Sequence, residues 1–166
     1  MGFDYSANVT AIKNALETCN TSTSTPDLSE GLTSRVKNVF ISDPEIVSVK
    51  SVLYPAVYVR ISSKQEEFSS IGGTGVTNGA KKFADVTYDI FGLYQKNGAY
   101  TDYANVLTEI YNFGRNIEAV FQSELTLSGT ALWCNPVKTD YLGPFPGDGV
   151  WVKGVRVELK ARYLFL

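Results

Sequence analysis

The sequence predicts an α+β fold: a mixed, mainly antiparallel β-sheet with an N-terminal helix and one long helix packed on one face. Three observations predict it. From Val155 onward, Val157, Leu159, Ala161, Tyr163 and Phe165 alternate with Arg156, Glu158, Lys160 and Arg162, the period of a strand with one buried and one charged face. Two further segments, Ala56 to Ser62 and Val86 to Tyr94, alternate in the same way. Between Thr101 and Gln122 the apolar residues instead recur at steps of three and four, the period of a helix.

The first element, about Phe3 to Cys19, reads as a helix, because Val9, Ile12, Leu16 and Cys19 share one helical face and Asp4 or Ser6 can cap its start. A Thr/Ser run closed by Pro26 stops it. Leu28 to Phe40 suits either a helix, through Leu32, Val36 and Val39, or an extended segment over Val36–Ile41; Pro44 ends it in both cases. The strand Ala56–Ser62 places Val57, Val59 and Ile61 on one face and Tyr58 and Arg60 on the other, with Pro55 where a missing N–H does least harm.

A polar, glycine-rich stretch of about twenty residues follows, from about Ser63 to Lys82, longer than most connections in a compact domain. We expect a flexible loop there. The strand Val86–Tyr94 then sets Val86, Tyr88 and Ile90 against Thr87, Asp89 and Phe91.

The helix Thr101–Gln122 carries Tyr103, Leu107, Ile110, Gly114, Ile117 and Phe121 as one stripe, flanked by Val106, Phe113 and Val120. At ~33 Å it is long enough to cover a sheet face. Gly114 on that stripe marks a close approach to the sheet. A fourth strand spans Ala131–Lys138, and Pro136 near its end argues for an edge position. The turn Gly143–Gly149 leads to the last strand, which alternates to the final residue, so the C-terminus is expected to be docked in the sheet.

Composition narrows the function classes. At 44% hydrophobic the 166 residues suffice for one sizeable core, and a net charge of −2 supplies no basic field for nucleic acid. The aromatic content of 13%, mostly Tyr and Phe, suits a β-rich core or a sticky interface. No apolar run approaches the ~20 residues of a membrane span, and no signal-peptide apolar region opens the chain. Met1-Gly2-Phe3-Asp4-Tyr5-Ser6 fits a myristoylation pattern but lacks a second, polybasic anchor. Cys19 and Cys134 show no pairing pattern and read as reduced thiols.

There is no histidine, which removes the commonest general base and the commonest metal ligand together. The expectation is no catalytic residue, no metal and no cofactor. Glu66-Glu67 has nothing apolar nearby to raise a pKa. The glycine cluster Gly72-Gly-Thr-Gly-Val-Thr-Asn-Gly79 fails as a phosphate loop, because Gly79 is followed by Ala80-Lys81-Lys82. It fails as a dinucleotide turn because Asn78 stands in the third glycine's place.

Several features succeed one another along the chain: Ser42-Asp43-Pro44, the extended Tyr54-Pro55-Ala56-Val57-Tyr58-Val59, a strand, and the long Ile/Leu helix. The turn Leu125-Thr-Leu-Ser-Gly129 and two closing strands ending in Trp151–Leu166 complete the series. In size and in this succession the chain resembles the tail terminator, or tail completion, proteins of long-tailed bacteriophages. No single motif is diagnostic, and the Gly-rich stretch and the Thr/Ser run at 20–26 depart from the compact pattern.

The resemblance implies a structural virion protein, assembled in the host cytoplasm. It would form a ring, usually hexameric, on the head-proximal end of the tail tube, ending tube polymerisation and joining the tail to the neck. Its implied partners are further copies of itself, the tail tube protein and a neck or head completion protein. Arg156, Glu158, Lys160 and Arg162 then read either as solvated surface or as a subunit or partner interface. Gly72, Gly73, Gly75 and Asn78, with Lys81 and Lys82 at the loop's base, are candidates for contact with the tube or a neighbour. A head completion or connector subunit is the nearest rival reading, and a small-ligand-binding domain is a rival of another class.

Overall fold

A computed structural model describes residues 3–44, 54–68, 82–97, 103–147 and 150–165. The elements run α1 (Tyr5–Thr18), β1 (Asn38–Ile41), β2 (Ala56–Phe68), β3 (Lys82–Asn97), α2 (Tyr103–Ser123), β4 (Trp133–Gly147) and β5 (Val150–Phe165). The five strands form one sheet in the order β1-β2-β3-β5-β4. Only the β1–β2 pair is parallel; the other three are antiparallel. The expected α+β class, with both helices on one face, is what forms.

Asp4 caps α1, accepting a 2.9 Å hydrogen bond from the Ala7 amide, which supplies a partner for one of the donors a helix start leaves open. Val9, Ile12 and Leu16 are buried against the sheet. Along α2 the buried line is Val106, Ile110, Phe113, Ile117, Val120 and Phe121, packed with Val155, Val157, Leu159 and Tyr163 of β5. Leu107 is only partly buried, so the stripe is centred a little to one side of the expected line. Gly114 does mark a close approach: a Cβ there would lie 3.0 Å from a Val155 methyl.

The ambiguous segment after Leu28 resolves as extended, but over only four residues. The turns before it are fixed by side chains. Asn116 on α2 donates to the Leu28 and Glu30 carbonyls, and buried Glu109 accepts from the amide and hydroxyl of Thr33. The Ser/Thr run is ordered in the same manner: Ser24 donates to the Cys19 and Thr21 carbonyls, while Asn20 accepts from the Ser29 hydroxyl and donates to the Val36 carbonyl.

Two boundaries differ from expectation. Ser63–Phe68, read as the start of a loop, continues β2, paired with Thr87 back to Lys82. The alternation is lost because of a register shift between Ile61 and Ser63: one extra residue reverses which face each later side chain takes. The rest of that loop lies outside the described residues. The Pro-rich turn is likewise strand up to Gly147, with a second shift between Leu142 and Phe145 that accommodates Gly143 at φ 85°. Pro136 is at the edge of the sheet, as its chemistry requires.

Two results are expected from this core. Ile110→Ala, at a fully buried site, should cost ~2–5 kcal/mol in urea melts, and Leu107→Ala clearly less than Ile110→Ala in the same assay. The second concerns Tyr88 and Tyr163, whose hydroxyls lie 2.9 Å apart inside the core. Burial raises both phenols, that of Tyr163 to about 12, so the folded state keeps protons that the unfolded chain sheds from about 10 upward. Stability from this source is full below pH 10 and falls as pH rises toward 12. Melting temperatures recorded from pH 8 to pH 12 should show that decline, and a Tyr88→Phe/Tyr163→Phe protein should show a shallower one.

Candidate functional site

Both described helices cover the same side of the sheet; the other side carries no described helix and is built from the alternate residues of each strand. It has two zones. Toward one end Tyr54, Ala56, Tyr58, Phe91, Leu93 and Val152 form a second, smaller apolar cluster. Across the middle runs a line of charge.

That line alternates in sign over all the long strands. Asp43, just past β1, pairs with Arg60 of β2 at 2.8 Å. Arg60 reaches Asp89 of β3 at 3.0 Å, and Asp89 is held from its other side by Arg156 of β5 at 2.7 Å. Arg156 also lies 3.4 Å from Asp140 of β4, which pairs with Lys138 at 3.0 Å. Asp89 is the centre. Its side chain is 1% exposed, yet each carboxylate oxygen takes two guanidinium N–H donors, from Arg60 on one side and Arg156 on the other. A buried carboxylate supported in this way is fully hydrogen-bonded. The Arg60 guanidinium also lies 5.2 Å over the Phe91 ring, which ties the charged line to the apolar zone.

A shorter group lies further along. Arg162 pairs with Asp85 at 2.5 Å and with Glu67 at 3.3 Å, and stands over the Phe83 ring. Its hydrogen bonds hold the Asp85 carboxyl below the usual carboxylate range. That contribution to stability is present at neutral pH and is lost as pH falls through the lowered value.

Arg156, Glu158, Lys160 and Arg162 therefore do share one face of β5, the helix-free one. Their situations differ. Arg156 and Arg162 are engaged within the chain, and Glu158 sits 3.6 Å from Arg156. Lys160, exposed and opposite Thr87 and Asn135, makes no ion pair among the described residues. Gly72, Gly73, Gly75, Asn78 and Lys81 lie outside the described residues. Lys82 opens β3 opposite Phe68 and Phe165.

Asp89 is what the sequence reading passed over. Its signal was a carboxylate between Tyr88 and Ile90 in the most apolar part of β3, where burial of the charge requires a compensating cation.

As chemistry, the arrangement is saturated. Every carboxylate in the line already faces a guanidinium or ammonium, and among the described residues no three His, Cys, Asp or Glu side chains come together as a metal site. A cavity of about 240 Å³ lies between α1 and the turn after α2, lined in part by Cys19, Ser123 and Leu127. Burial and the nearby Glu124 raise the Cys19 thiol, which keeps it protonated and weakly nucleophilic. No protein-family model matches the chain, and no curated protein is significantly similar to it.

Removing both arginines should expose the cost of burying Asp89. Arg60→Ala/Arg156→Ala strands a desolvated carboxylate and is expected to cost ~3–5 kcal/mol by urea denaturation. Lys160→Ala, with no partner in the line, should stay within ~0.5 kcal/mol. Equal effects would mean that the line does not act as a unit.

Proposed function

We propose that this protein is a structural component of a phage tail, a terminator that forms a ring on the head-proximal end of the tail tube and presents a surface to the neck. The observation that carries the reading is a sheet whose described helices lie on one side, while a row of internally paired charge crosses the other side beside a buried apolar cluster. Such a surface suits a protein neighbour: its charges are held in place, so little side-chain freedom is lost on contact. The succession of elements that resembles the tail terminators supports the same reading. A contact of this kind sets partner and register more than affinity, because exposed ion pairs contribute little energy each.

Ring formation needs a patch that meets a different patch on the next copy, and the two edges of this sheet are different. The cofactor-free, structural role follows from the same reading, as do the tube and neck proteins as partners.

The test is assembly. Purified protein mixed with tail tubes of the same virion should appear in negative-stain images as a cap at one tube end, and capped tubes should stop growing in light scattering. A stable closed dimer that ignores tubes would overturn the reading.

A further inference from the structure

The charged line ends differently at the two sides of the sheet. At the β1–β2 side its last member is Asp43, with a side chain 79% exposed; at the β4 side it is Lys138, 59% exposed. The line is thus a polar row with an acidic end and a basic end. Each end residue already has a partner inward along the row, and each has most of its surface turned outward.

The apolar features at the two edges match the same polarity. At the β1–β2 edge, β1 stops at Ile41 while β2 runs on to Phe68, and no described strand pairs with the outer edge of β2 beyond Val59. At that step lies a cavity of about 350 Å³ lined by Val9, Ile41, Val59 and Ile61, with Asp43 and Arg60 at its side. At the β4 edge, large apolar side chains stand out instead: Trp133, Val137 and Tyr141 are each more than 40% exposed. Tyr141 pairs in register with Val155 and so lies on the helix side of the sheet, the side of the apolar cavity, whereas Trp133 pairs with Arg162 and lies on the opposite side. Lys138 lies on the helix-free side, as does the Arg60 that holds Asp43. Cavity and protrusion, acid and base, therefore fall on corresponding sides of opposite edges.

We propose that copies of this chain associate head to tail through these two edges, the β4 edge of one meeting the β1–β2 edge of the next. Lys138 of one copy pairs with Asp43 of its neighbour, and Tyr141 on the helix side of β4 fills the cavity at the end of β1. This deepens the tail-terminator reading by naming the contact on which its ring would rest. A two-fold pairing centred on either end residue is disfavoured, because it would set Lys138 against Lys138 or Asp43 against Asp43. Pro136 and the bulge after it interrupt the outer edge of β4, so the contact is made by side chains more than by a continued strand ladder.

Cysteine cross-linking separates the alternatives. In a Cys19→Ser background, Asp43→Cys/Lys138→Cys treated with a short bismaleimide should give a ladder extending past the dimer, in concentrated solution or on tail tubes. Each single cysteine variant should give none. A dimer from Lys138→Cys alone, or no ladder in either setting, overturns the proposal.

Charge reversal is the second arm. Asp43→Lys and Lys138→Asp should each weaken self-association at least tenfold by sedimentation, and the double reversal should restore it. Both positions are exposed, so the fold is expected to survive, and the restored double variant guards against misreading a misfolded protein. Unchanged association in both single variants overturns the proposal. A ladder from a protein indifferent to tubes would sink the tail reading and leave this contact standing. Normal capping of tubes by both single reversal variants would do the opposite.

Discussion

Asp89 is the constraint around which the sheet is organised. A carboxylate 1% exposed in the central strand cannot persist without cations, and the two that serve it come from the strands on either side. β2 must lie in the register that brings Arg60 to it, and β5 in the register that brings Arg156. A slip of one residue in either strand would turn its arginine to the helix side and leave the carboxylate unpaired. The same slip would turn Val57 and Val59, or Val155 and Val157, out of the core, so packing and ion pairs exclude it together. A slip of two residues keeps the apolar faces, and there the ion pairs discriminate, because Val, Ile and Leu neighbours are interchangeable to within a kilocalorie or so. The packing beneath supplies most of the stability, and the ion pairs above it select the alignment.

Much of this was open to reading from residue order. Strict alternation located the core of β2, β3 and β5, because nothing but a half-buried strand produces it over so many residues. Val106 to Phe121 gave away the long helix, and Gly114 and Pro136 marked a contact and an edge through constraints specific to glycine and proline. What escaped had physical reasons. β1 is four residues long and too short to show a period. Ser63–Phe68 is polar and lies past a bulge, so its side chains change face just where an alternating pattern would be sought. Pro144 and Pro146 looked like turn residues and are instead tolerated in an edge strand near a register shift.

The candidate surface was half legible. That Arg156, Glu158, Lys160 and Arg162 share a face follows from spacing alone. That Arg156 and Arg162 already have partners depends on which residues stand opposite on β3 and β4, and pairing between distant strands is not written in any local stretch. The cavity at the end of β1 is less accessible still to sequence reasoning, since it exists only because one strand is shorter than its neighbour.

The strand order carries a consequence for how the molecule is made. β5, the last of the five strands in chain order, is seated between β3 and β4 and is the only described strand that β4 pairs with. Until it emerges, β1, β2 and β3 can assemble, but α2 has only part of its bed and β4 has none. A nascent chain that still lacks β5 therefore has an apolar helix face uncovered, a state prone to sticking. Docking of β5 closes the sheet and the core in one step, so cooperative folding waits on that strand.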